Sequence, residues 1–170
     1  MRPSFLPLVL IVLAGQSNAT DQPLRTDRVV CAIEAPICAR ASIQTNTTVV
    51  SRSDSKTRTR ETLWSFPAWL RVARINESGE ALLVEAEQFN QLPPDAPPEL
   101  VVLRLYTRSA LGREFKLQEF FASEMELQSA RRLGAWAKAL GSENSDVAKY
   151  LLASGRRVRI TLSTAEVAFE

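Results

Sequence analysis

Glu85 and Glu87 stand two residues apart near the middle of the chain, and Glu124 follows on a later segment. Two carboxyls are what a glycoside hydrolase works with, one giving a proton while the other attacks or activates water. A spacing of two puts Glu85 and Glu87 on the same face of a strand. Such pairs also arise routinely as solvated residues opposite Leu82 and Val84 on a half-buried strand. A catalytic pair needs burial and split proton affinities, so the solvated reading stands and no catalytic residue is assigned.

The sequence contains no histidine. Ser-His-Asp and Cys-His nucleophile pairs are therefore excluded, together with histidine-built metal sites. Six glycines are scattered at 15, 79, 112, 134, 141 and 155, without a phosphate-cradling G-x-G-x-x-G or G-x-x-x-x-G-K. No cofactor is expected. Cys31 and Cys38 are the only cysteines. Dithiol catalysis favours C-x-x-C and structural zinc wants four ligands, so a C-x6-C pair reads as one disulfide closing a short loop, with Pro36 bending the chain before the second sulfur.

That disulfide needs an oxidising compartment, and the N-terminus supplies one. Residues 1–19 carry Arg2, an apolar run from Phe5 to Ala14, and small residues Ser17 and Ala19 before a cut, which is the pattern of a secretory signal peptide. A bilayer span needs about 20 apolar residues; this run is about half that and contains Pro7. The expectation is a single exported domain, residues 20–170, periplasmic or secreted, with no stable membrane span after cleavage. Removing Arg2 leaves a net charge of +1. That balance gives no general reason to expect nucleic acid or an anionic membrane as partner.

Ala41–Val50 is rich in β-branched residues and reads as a strand, with a polar turn at residues 51–55. Residues 56–66 continue as a second strand, Trp69–Ile75 as a third, a tight turn follows at Asn76–Gly79, and Ala81–Glu87 forms a fourth. This antiparallel meander resembles a single blade of a β-propeller, but no second copy recurs at a fixed period. Residues 91–98 hold four of the nine prolines and read as a stiff connector. Glu99–Tyr106 has apolar residues on both faces, as expected of a strand at a sheet's centre, with a hairpin connection at Leu111–Arg113 leading to a short strand, Glu114–Leu117.

From Gln118 the period changes. Phe121, Met125, Ser129, Leu133, Trp136 and Leu140 follow helical spacing, ended by Gly141. Ser142 can cap a second helix through Val147, Tyr150, Leu151 and Ser154, stopped by Gly155. Val158, Ile160 and Leu162 alternate as a closing strand. The predicted fold class is α+β: an antiparallel meander sheet, two C-terminal helices, a closing strand and one short-loop disulfide.

Arg52, Lys56, Arg58 and Arg60 form a basic stripe. It could face anions such as lipid headgroups, glycans or an acidic protein; the plainer reading is an edge strand kept soluble by cations. Arg156, Arg157 and Arg159 invite the same comparison. Trp64 and Trp136 read as core anchors and Trp69 is left open. Asn46-Thr47-Thr48 and Asn76-Glu77-Ser78 match the glycosylation acceptor pattern. The expected function is a non-catalytic exported binding or accessory protein, partnered by an envelope protein or glycan. The alternatives are a carboxylate-dependent hydrolase of envelope glycans and an inhibitor or immunity protein presenting the Cys31–Cys38 loop.

Overall fold

The computed structural model describes residues 26–86, 91–108, 110–141 and 144–170. The segment read as a signal peptide lies outside the described residues, as do Glu87 and Ser142. The first four strands are β1 Arg28–Cys31, β2 Ile37–Ser42, β3 Thr47–Ser53 and β4 Arg60–Phe66. Next come β5 Val72–Ile75, β6 Ala81–Glu85, β7 Val101–Thr107 and β8 Ala110–Lys116. A 3-10 turn, Leu117–Phe120, and the helix α1, Glu124–Leu133, lead to β9 Ala137–Leu140, β10 Val147–Leu152, β11 Arg157–Thr161 and β12 Glu166–Phe169. Each strand pairs with its sequence neighbour, giving three antiparallel four-stranded sheets: β1–β4, β5–β8 and β9–β12.

The expectation of one meander with two C-terminal helices is therefore corrected to a mostly β fold with one ten-residue α-helix among the described residues. The long helix stops early because Gly134 takes a left-handed φ of 67°, a conformation that ends helices. Ser123 caps its start by accepting the Glu126 N–H, with Glu124 and Glu126 in the first turn and Arg131 and Arg132 in the last. The helix buries Leu127 and Ala130, while Met125 and Leu133 of the predicted apolar face are 76% and 68% exposed. The second predicted helix is β10, in which Ala148, Tyr150 and Leu152 are buried alternately.

Ala41–Val50 is likewise a hairpin rather than one strand, turning at residues 43–46 with Asn46 at φ 48°. The hairpin connection expected at Leu111–Arg113 falls instead inside β8. The turn at Asn76–Gly79 forms as expected: Asn76 Oδ1 accepts the Ala81 N–H at 3.0 Å and Gly79 has φ 74°. A Cβ on Gly79 would lie 2.7 Å from Leu63 Cδ1, so the turn also needs glycine to fit beneath the first sheet.

The middle sheet, β5–β8, is covered on both faces. Leu82, Val84 and Tyr106 join a core with Ile37, Ala39 and Val50 of the first sheet. Ala81, Leu83, Leu103 and Leu105 join a second core with α1 and the third sheet. Every residue of β6 is consequently buried.

Candidate functional site

Glu85 ends β6 where the chain leaves the two-sided core, and it is only 7% exposed. Its expected solvated position is corrected by the same two-sided packing that buries the rest of the strand. Its N–H donates to the Arg71 carbonyl at 2.9 Å, and Arg71 Nε donates back to Glu85 Oε2 at 2.8 Å. The approach to Arg71 is fixed one residue earlier, where the Leu70 N–H donates to the buried Thr48 hydroxyl. That hydroxyl in turn donates to the Ala68 carbonyl.

Glu85, Arg71 and Leu70 wall a cavity of about 360 Å³. Val84, Leu92 and Trp136 give it apolar surface, and Trp69, Arg71 and Arg104 add polar and aromatic edges. The proline-rich segment contributes a wall because it is tied to α1. The Leu92 N–H donates to the Gly134 carbonyl at 2.8 Å and Arg131 Nε to the Ala96 carbonyl at 2.9 Å. Arg104 is braced on the neighbouring strand by Glu114, 2.9 Å away.

Burial raises the Glu85 carboxyl above the usual range, and Arg71, then Arg28, only partly oppose it. Tyr150 is pushed up first by burial and then by the Glu85 charge, while burial lowers Arg74. The site thus combines a buried carboxyl of raised proton affinity, two guanidiniums and an indole around an apolar hollow. It can seat a small amphipathic molecule, with its polar end at Glu85 and the arginines.

Compared with family models, curated proteins and solved structures, the chain matches none.

Cys31 and Cys38 face each other across β1 and β2 and are joined as a disulfide with Cα atoms 4.0 Å apart. Their loop exposes Ile33, Glu34 and Pro36, while Ala32 and Ala35 pack against the first core. The Ile33 N–H donates to the Ser145 hydroxyl, tying this loop to the third sheet.

The basic stripe is not one strand. Arg52 lies on β3, Lys56 and Arg58 in the turn, and Arg60 at the start of β4, all exposed around one hairpin. Asp54 shapes that turn by accepting the Lys56 N–H at 2.8 Å, and this bond lowers its proton affinity. None of the four lines the Glu85 cavity.

Glu124 is a surface partner of Arg131. Trp136 is fully buried, Trp64 donates to the Gly79 carbonyl at 2.6 Å, and Trp69 borders the cavity. Asn46 is exposed, whereas Asn76 is buried in its turn. Among the described residues no helix is long and apolar enough to cross a membrane, and no three acidic or cysteine side chains gather as metal ligands.

Sequence reasoning missed Arg71, Arg104 and the burial of Glu85. The available signal was the unbroken apolar run Leu82-Leu83-Val84, which marks a strand covered on both faces.

Proposed function

We propose that this protein is an exported, non-catalytic binding protein that holds a small amphipathic ligand beside Glu85. The observation that carries the reading is the arginine-held carboxyl in the wall of the 360 Å³ cavity. Ligand pockets commonly have volumes of about 300 to 1,000 Å³ and combine apolar walls with a few converging polar groups. Export is supported by the N-terminal pattern and by the Cys31–Cys38 disulfide. An envelope protein or glycan could then receive or present the ligand.

The test is a thermal-shift screen of amphipathic small molecules against the exported chain and an Ala86→Trp variant, which fills a position on the cavity wall. Compounds that raise the melting temperature of the wild type but not of the variant support the reading. If every stabilising compound acts equally on both, the cavity is not the site. Release of reducing ends from envelope glycans by the wild type, lost in Glu85→Gln, would overturn the non-catalytic assignment in favour of a hydrolase.

A further inference from the structure

In the third sheet the inward residues Ala148, Tyr150, Leu152, Val158 and Ile160 are buried. Alternation sends their neighbours to the opposite face. There, Lys149 lies opposite both Leu140 and Arg159, and Leu151 lies opposite both Lys138 and Arg157. Lys138, Arg157 and Arg159 are exposed and Lys149 is half-buried. Among the described residues none of these four cations forms an ion pair. The acids of α1 are paired with other cations, Glu126 with Arg156 and Glu124 with Arg131. Glu166 and Glu170 lie on the same face beside β11: Glu166 is opposite Thr161 and accepts the Thr164 hydroxyl, and the Glu170 N–H donates to the Arg157 carbonyl. The two acids offset part of the charge on the β12 side, and the cations of β9 and β10 have no acid directly opposite them.

Lys149 and Arg159 are directly opposed like charges, an arrangement that disfavours the strand pair. Core packing does not require it, since both side chains point away from the core. We propose that this face docks on an anionic lipid bilayer, whose phosphates would neutralise the four cations. They occupy three adjacent strands spaced about 4.8 Å apart. A plane of headgroups can meet all of them at once, whereas a linear polyanion follows a single track.

Leu140, Val147 and Leu151 lie between the charges and are half-buried, so they offer the apolar contact that interfacial binding uses. Among the described residues the face carries no aromatic ring of the kind on which single-stranded nucleic acid stacks. Near-neutrality of the whole chain does not oppose this docking. Charge beyond a Debye length of about 8 Å is screened at physiological salt, so the local cluster governs attraction. The assignment is independent of the Glu85 cavity, because none of the four cations lines it.

The test is co-sedimentation of the exported chain, its N-terminus established by mass spectrometry. The probes are vesicles of phosphatidylcholine alone and vesicles containing about one-third phosphatidylglycerol. Binding only to the anionic vesicles, lost at about 0.5 M salt, is expected. Lys149→Gln with Arg159→Gln should weaken it about twenty-fivefold, at about fivefold per cation. Arg52→Gln with Arg60→Gln, on the first sheet, should leave it unchanged.

If the first double variant does not fold, Lys138→Gln with Arg157→Gln tests the same face at more exposed positions. Equal binding to neutral vesicles would overturn the proposal, as would greater weakening by the Arg52 and Arg60 variant. Binding to a soluble polyuronate or to single-stranded DNA, without binding to anionic vesicles, would also overturn it.

Discussion

The two cores of the stack are built differently. Between the second and third sheets, twenty buried residues among those described cluster around a run of rings: Phe120 lies 4.7 Å from Trp136, and Trp136 lies 5.8 Å from Tyr150. Between the first and second sheets the corresponding cluster has nine buried residues among those described, and partly buried Phe66 packs edge-on against its Tyr106, 5.0 Å away. The smaller core is the one whose outer sheet carries the disulfide. The difference illustrates a general substitution: where apolar burial is limited, a covalent link that restricts the unfolded chain supplies part of the stability.

The strongest attack on the larger core is Trp136→Ala. It removes a fully buried indole packed against the Phe120 and Tyr150 rings and should cost about 4 kcal/mol. Urea unfolding would measure it. A cost below about 1 kcal/mol would mean that the aromatic run does not hold the second and third sheets together.

The corresponding attack on the smaller core is Cys31→Ala with Cys38→Ala. The bridge closes a loop of about eight residues, so its loss should cost about 2.5 kcal/mol on the chain-entropy model. Hydrogen exchange sharpens the comparison. Amides of β1 and β2 should lose protection while those of β10 and β11 keep theirs, because the larger core contains no part of that linkage. Uniform loss across all three sheets would show that the two cores unfold as one unit.

Glu85 stands at the boundary of the two cores, and its titration probes their junction. Its folded proton affinity is raised above the ordinary value of 4.5 by burial, with Arg71 opposing. The folded state therefore holds the proton more tightly than the unfolded chain. This carboxyl's contribution to stability is fully present below pH 4.5, falls as pH rises through the folded value, and is level above it. Unfolding free energies measured from pH 4 to 8 should show this decline in the wild type and not in Glu85→Gln. An identical slope in the two proteins would place the titration elsewhere.

Some of this architecture was legible in the sequence. The Asn76–Gly79 turn, the central position of β7 and the alternation of β11 were readable because turn residues and period-two burial coincide there. The failures have equally local causes. Val147, Tyr150, Leu151 and Ser154 suit a helical period, but the strand's own alternation through Ala148, Tyr150 and Leu152 is what the core uses. Gly134 does not stand out as a helix stop in the sequence because Trp136 and Leu140 continue the helical spacing, although they belong to the next sheet's approach and edge. Arg71 and Glu85 are 14 residues apart, and only the pairing of β5 with β6 brings them together. The four-stranded unit recurs three times without a sequence period because the connections between units differ: the short segment 67–71 joins β4 to β5, whereas a 3-10 turn and a helix separate β8 from β9.

The smallest effect distinguishes the two outer sheets rather than the two cores. Arg40, on β2, points outward between Val29 and Val49, with no cation opposite it. Lys149 faces Arg159 directly. Lys149→Glu converts that repulsion into attraction and should stabilise the protein by about 0.5 kcal/mol at low salt, whereas Arg40→Glu should gain nothing. Glutamate is shorter and loses some of the packing of the lysine stem, so salt dependence is the sharper readout. The stability difference between Lys149→Glu and the wild type should shrink as ionic strength rises and screens both the repulsion and the attraction. A salt-independent difference would mean that side-chain packing, not charge, sets the energy of this face.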